Sequence, residues 1–456
     1  MMQSTGPLQR VRQFIVSPLG LLAQFCLAAV VIIAHAPMPG IFLFAAIMLA
    51  LLVVCDDVLA VLPSAVLMSL FLIKVDNTTA YDKYSRLWWL IFFVIAAVAF
   101  HLWKYQRGKQ FVWGKAAWAL TGVAAAITIG GLGFISAKEY FAGGALYHVG
   151  TLGVGMLLAY LFLSRAVKPD DTGRLPAYIA NVMLMMGLFA AFMVFHFYLE
   201  HLPQVMETKA LLTFQWRNNV STFLMLALPF PFYKAFRKPA CLLTALLMYL
   251  AVLLTESRGG LLFGSIELVM CILFVLLADK KRRLFYSILF GSLAVLVITA
   301  LPFLFGFFKP VLVRLVESLQ FDSGEARVGL YRRAIEDFLA SPIFGTGMGY
   351  MGNRDLHPSK EFALCWYHCA PLQIIGSMGV AGILAYAYNY FIRIKIFLRR
   401  RSNFHLTLFL SWAGLELMSL VNPGEFVPLP YLLISTMFLV FAEKTVLPAK
   451  EEPTEK

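Results

Sequence analysis

The sequence predicts an all-α protein: a polytopic bundle of about twelve to fourteen membrane-spanning helices, with one long extracytoplasmic loop that itself contains helix. Three observations predict it. Of the 456 residues, 60% are hydrophobic and only 14% charged, and the mean hydropathy is +0.77, which no soluble globular composition matches. Apolar runs of about 17 to 25 residues, the length that crosses a bilayer as helix, recur along the whole chain. The short segments between the runs are alternately rich and poor in Lys and Arg, as expected of loops on opposite sides of a membrane.

In order, the runs fall at 18–36, 39–54, 58–73, 87–103, 116–136, 145–164, 176–198, 219–233, 239–255, 260–278, 284–308, 370–392, 404–421 and 427–442. Those at 39–54 and 219–233 are short. The first follows Arg10 and Arg12 and ends at Ala34-His35-Ala36, which mimics a cleavage site. It is longer than a signal h-region, and Pro37 follows directly, so it is expected to stay as the first span.

The basic set begins with Arg10/Arg12, Lys104/Arg107/Lys109/Lys115 and Arg165/Lys168/Arg174. It continues with Lys234/Arg237/Lys238, Lys280/Lys281/Arg282/Arg283 and Arg393/Lys395/Arg399/Arg400/Arg401. Asp56-Asp57 forms a small loop without positive charge that leaves the alternation intact. Both termini are therefore expected in the cytoplasm, in an inner-membrane protein whose partner is the lipid bilayer. The net charge of +13 reads as a topology signal; no nucleic-acid module accompanies it, and no nucleic acid is expected as partner. Cys26, Cys55, Cys241, Cys271, Cys365 and Cys369 are scattered, and Cys365/Cys369 with His357 and His368 match no closed zinc spacing. Neither a metal nor another cofactor is expected. The tail PAKEEPTEK is expected to be a short disordered end. The chain divides into amino-terminal helices at 1–210, a core at 211–393 with the loop at 309–368, and carboxyl-terminal helices and tail at 394–456.

Three outward segments stand out. One ends in Arg217, Asn218 and Asn219 at the top of a span. One is the turn TESRGG at 255–260. The third is the loop 309–368, longer than a merely connecting loop. Within it, ARVGLYRRAIEDFLA at 326–340 spaces Val328, Tyr331, Ile335, Phe338 and Leu339 helically. The glycine-rich SPIFGTGMGYMG follows. Gly347, Gly349 and Gly352 spell G-x-G-x-x-G, but no strand precedes them, so a dinucleotide fingerprint is rejected; the glycines are expected to let the backbone turn tightly against the membrane surface.

Arg217, Arg258, Arg327 and His368 converge on the outward side. Each has a plainer reading: Arg217 as a snorkelling interfacial cation, Arg258 as a span cap, Arg327 on a solvated helix face, His368 as an interfacial-belt residue. Jointly they run against the topological bias that keeps arginine inside. Arginine suits multi-donor recognition of phosphate. Pro371 fits a first helical position, which puts His368 just before a helix N-terminus, where anions are favoured.

The segment YHCAPLQIIGSMGVAGILAY resembles the HN-x-x-LQ…G-x-x-G signature of the O-antigen ligase and polymerase superfamily. ARVGLYRRAIEDFLASPIFGTGMGY resembles its R…W…A…P-x-x-G-x-G loop, and TESRGG its SRG turn. Together these cover about 255–386 in the family's order. Cys369 stands where the family has Asn, and Tyr331 where it has Trp. The resemblance implies a metal-independent membrane glycosyltransferase acting outside the cytoplasmic membrane. It implies a donor glycan on undecaprenyl pyrophosphate and, as acceptor, a sugar hydroxyl on lipid A-core or on another lipid-linked glycan. His368 falls on the family's essential histidine and Arg327 on its loop arginine, and Arg217 corresponds to its other essential arginine; these are the expected catalytic residues. Arg258, Arg332 and Asn218 are expected to bind substrate. A ligase is favoured over a polymerase because Arg327, Arg332 and Arg333 give the loop helix a basic rim suited to a phosphorylated acceptor. A polysaccharide transporter or flippase is the reading of another class, and would show internal repeats, midplane charges or broken helices.

Overall fold

The computed structural model describes residues 7–74, 88–109, 113–133, 149–170, 173–212, 214, 216–319, 325–348, 366–400, 402–422, 424–426 and 429–445. Gly349, Gly352 and the tail from 446 onward lie outside them. Among the described residues the chain is all-α, with only an isolated bridge between Asp170 and Thr445.

Each run read from the sequence has a helical counterpart. After α1 (Pro7–Ile15) come α2 (Pro18–Ile33), α3 (Pro37–Val54), and a turn at Val58–Val61 leading into α4 (Leu62–Lys74). Then follow α5 (Ile91–Tyr105), α6 (Lys115–Ile129), α7 (Met156–Ala166) behind a wider turn at Val149–Gly155, and α8 (Arg174–Glu200). After the short α9 (Leu202–Thr208), α10 (Arg217–Ala227) and α11 (Pro229–Ala235) share one run that Pro229 divides, since proline interrupts the helical hydrogen-bond ladder. The rest are α12 (Leu242–Leu254), α13 (Arg258–Ala278), α14 (Arg283–Leu319), α15 (Glu325–Ala340), α16 (Ala370–Arg399), α17 (Asn403–Ser419) and α18 (Leu429–Lys444). Among the described residues, six helical stretches are by length and composition able to cross a membrane: Pro37–Val54, Val149–Ala166, Arg174–Glu200, Arg258–Ala278, Arg283–Ala300 and Ala370–Arg399. Shorter apolar helices lie among them, and outward faces such as those of α5 and the first half of α14 present large apolar side chains, as a lipid-facing surface requires.

The side-chain contacts sort the chain ends into two groups. At one end, Arg12 pairs with Asp56 (2.8 Å) and Asp57 (2.5 Å), and Lys168 reaches Asp56 (2.9 Å). Arg165 donates to Gln106 O (2.6 Å), Arg282 to Phe236 O (3.2 Å) and Arg400 to Thr445 O. The basic loops thus gather at one end, and the Asp56-Asp57 loop supplies their counter-charge. At the other end, His35 and His196 face Glu200 at 3.0 and 3.4 Å, and Tyr198 donates to Leu254 O (2.8 Å).

One sequence expectation gains detail and two need correction. The helix that leads into the long loop, α14, continues to Leu319, beyond the candidate span Arg283–Ala300, so the first part of 309–368 is helical. The run at 370–392 is not one straight helix: Gly379 has φ 60° and ψ −152° and breaks it into 370–378 and 380–399. Arg393 does not belong to the basic loop at 393–401. It is 1% exposed inside α16, facing Glu425 at 3.4 Å and Ser435 Oγ at 3.2 Å, because the helix extends to Arg399 and carries position 393 into the bundle.

Candidate functional site

The outward segments build two assemblies. In the first, Arg217 and Arg258 are the opening residues of α10 and α13. Ser257 caps α13, accepting from Gly260 N–H (3.0 Å) and donating to Asn218 Oδ1 (2.8 Å). The two helix N-termini are therefore locked side by side. The cap is Ser257 rather than Arg258, because a guanidinium has no acceptor to offer an N–H. The residues before these starts, Trp216 (φ 57°) and Glu256 (φ 55°), are left-handed, a conformation rare outside glycine that the surroundings must enforce. Thr255, Glu256 and Ser257 are all buried.

The second assembly holds His368, half-buried at φ 54° two residues before α16. Pro371 stands within the first two helical positions, as its fixed φ favours. Tyr367 N–H donates to Gln373 Oε1 (3.0 Å), and Gln373 Nε2 to Ser377 Oγ (2.8 Å). Tyr367 Oη donates to Asp337 Oδ2 (2.5 Å), tying the turn to α15. Burial pushes the Asp337 carboxyl above its usual value, although the Tyr367 hydrogen bond and the charge of Arg333 work against this.

The glycine-rich segment packs on the first half of α16. Thr346 N–H donates to Gly376 O (3.0 Å) and Gly347 N–H to Ser377 O (3.1 Å). Pro342 O and Ile343 O accept from Val380 and Ala381 N–H, past the break at Gly379 (2.8 and 3.0 Å). Gly345 has φ 70°, and a Cβ there would lie 2.3 Å from Met378 N. The glycines therefore close on helix backbone, and the expectation that they turn against the membrane surface gives way to a buried joint at 345–348.

The structure brings Arg217, Asn218 and Arg258 together directly. His368 belongs to the second assembly and is linked to the first through α18: Tyr431 donates to Asn219 O (2.7 Å), while Leu432 packs in one cluster with Ala370 and Ile374. Arg327 stands in the first turn of α15. Arg332 is exposed. Arg333 is not a free rim charge, because its side chain lies 3.0 Å from Asp337 and 3.7 Å from Glu336; the i+3 and i+4 carboxylates on its own helix take it up. Sequence reasoning missed Ser257, Gln373, Asp337 and the Arg393–Glu425 pair. Ser257 carried a visible signal, as a serine just before a helical run and in the SRG turn, and Gln373 carried one in the LQ of the signature; Asp337 and the Arg393–Glu425 pair carried none.

No curated protein and no solved structure matches the chain. Residues 243–387 match the family described as O-antigen ligase, a stretch that holds α13, α15, the glycine joint and His368. Residues 243–387 therefore carry a domain of the O-antigen ligase and polymerase superfamily, in a chain whose described residues include six helical stretches able by length and composition to cross a membrane.

Proposed function

We propose that the protein moves a glycan from undecaprenyl pyrophosphate to a sugar hydroxyl at the outer face of the cytoplasmic membrane, as an O-antigen ligase, with both termini inside. The observation that carries this reading is the pairing of Arg217 and Arg258 on adjoining helix N-termini. A helix N-terminus is already positive, so a cation placed there is unfavourable by roughly 0.3–1 kcal/mol. Two such ends side by side make sense around an anion. In the reaction the acceptor oxygen attacks the sugar anomeric carbon. The carbon–oxygen bond to the pyrophosphate breaks, and the pyrophosphate leaves with the electron pair. Arg217, Arg258 and Arg327 stabilise the charge gathering on it. His368 accepts the proton released by the hydroxyl. Asn218, held by Ser257, and the exposed Arg332 contact substrate.

The break at Gly379 and the buried Arg393 are features expected of a transporter. Gly379 lies inside the family-matched stretch and anchors the joint beneath His368, which supports reading it as site architecture. With Arg333 neutralised, preference for a phosphorylated acceptor rests on Arg332 and Arg327.

Two experiments test the reading. Purified protein given lipid-pyrophosphate-linked glycan and acceptor is expected to transfer glycan in EDTA, and His368→Ala to lose about 10²–10³ in rate. Loss on chelation restored by Mg²⁺, or full activity of His368→Ala, would overturn the metal-free mechanism or the role of the histidine. A deletion strain is expected to show acceptors without glycan and accumulated lipid-linked chains. Acceptors carrying a single repeat unit would identify a polymerase instead.

A further inference from the structure

We infer that Arg393 and Glu425, buried beyond the end of the matched stretch, are positioning residues that fix the turn bearing His368. The inference rests in part on the reading of His368 given above.

Both side chains are 1% exposed. Arg393 Nη1 lies 3.4 Å from Glu425 Oε1 and donates to Ser435 Oγ (3.2 Å). Removing either partner would strand a charge in a low-dielectric interior, so Glu425 must stay where Arg393 reaches it. That requirement fixes the backbone at 424–426.

The next residue is Phe426, 2% exposed. Its ring meets Trp366 at 6.1 Å and Tyr386 at 5.8 Å between centroids. Trp366 is two residues before His368. Two of the holds on the 366–368 turn differ in kind. One hold is directional: Tyr367 to Asp337 and Gln373. The other is the ring contact of Trp366 with Phe426, which has no direction of its own and would allow sliding. By fixing the neighbouring Glu425, the ion pair adds register to that ring contact.

A well-packed apolar pair would stabilise such an interior as well or better, so stability alone gives no reason for the charges. Geometry does, because the left-handed backbone at His368 persists only where its surroundings over-determine it.

Cys369 adjoins His368 and is half-buried, so it can report on this turn. The test uses the full-length protein with Cys369 as its sole cysteine, and follows maleimide alkylation, thermal unfolding and transfer kinetics. Glu425→Gln and Arg393→Met are expected to change the Cys369 alkylation rate at least about 5-fold. They are expected to lower kcat by about 10- to 100-fold with donor KM nearly unchanged, the signature of misplacement rather than lost binding. The double exchange Arg393→Glu with Glu425→Arg is expected to restore both readouts toward the parent. Phe426→Leu keeps both charges and is expected to shift the alkylation rate in the same sense.

An unchanged Cys369 rate in Glu425→Gln, with only a lowered Tm, would overturn the proposal and leave the pair a structural element. If the charge variants do not fold, an unchanged rate in Phe426→Leu overturns it equally. Should the parent transfer no glycan at all, the functional reading fails by itself, and the alkylation rates still decide the positioning role.

Discussion

Arginine appears at both ends of this bundle, but at opposite ends of helices. Arg165, Arg282 and Arg400 donate to carbonyls at the C-terminal ends of α5, α11 and α18. There the helix dipole is negative, and the cations are matched to it. Arg217 and Arg258 instead open α10 and α13, where the dipole is positive. The same residue stabilises in the first setting and works against the fold in the second. The difference separates arginines matched to helix C-termini from arginines placed at helix N-termini, where the proposed anion site would need them.

The sharpest way to break this comparison is to truncate both kinds. Arg217→Ala and Arg258→Ala are expected to lose about 10²–10³ in transfer rate with Tm unchanged or slightly raised. Arg165→Ala and Arg282→Ala are expected to lower Tm while keeping activity within a few-fold of the parent. Equal loss of rate in an inner variant that melts normally would collapse the distinction.

A smaller effect is expected at the joint beneath His368. Gly345→Ala puts a Cβ at φ 70° and 2.3 Å from Met378 N. The glycine segment must then move off α16, at a cost of about 1–3 kcal/mol. Thermal unfolding should register it, and activity should fall with it. A parent-like Tm would mean that the segment is not held there.

The smallest effect is expected at the Asp56 cluster. Burial raises the Asp56 carboxyl, but the Lys168 hydrogen bond and the charges of Arg12 and Lys168 outweigh it and hold the group below 3.8. A depressed carboxylate contributes stability above its unfolded value, and that contribution fades as pH falls through the lower folded value. Asp56 is 43% exposed, so solvent screening limits the contribution to about 0–1 kcal/mol. Asp56→Asn should lower Tm slightly at neutral pH, and the gap should close below the unfolded value. A gap that widens on acidification would show that the ion pair is not its origin.

Much of the fold was legible because a membrane forces helix length and charge placement into the sequence. The spans, the loop helix at 326–340 and the start of α16 behind His368 all follow from apolar runs, periodicity and Pro371. What escaped depends on contacts between distant positions. No local pattern says that Gly379 reverses its backbone against Pro342 and Ile343. Nor does any say that Arg393, next to a string of basic residues, is drawn inward by Glu425. The candidate site was half legible: residue types at helix starts pointed to an anion, but the lock between Asn218 and Ser257 needed coordinates.

The docking of α18 has a consequence for biogenesis. Its residues close contacts with partners made much earlier, Tyr431 with Asn219 across 212 positions and Glu443 with Tyr160 across 283. At translation rates of about 5–20 residues per second, Tyr160 waits tens of seconds for its partner. Until then the early helices sit in the bilayer with a polar seam uncovered, and the floor beneath Asn219 is missing. A nascent chain therefore lacks these two contacts until α18 has been made and docked.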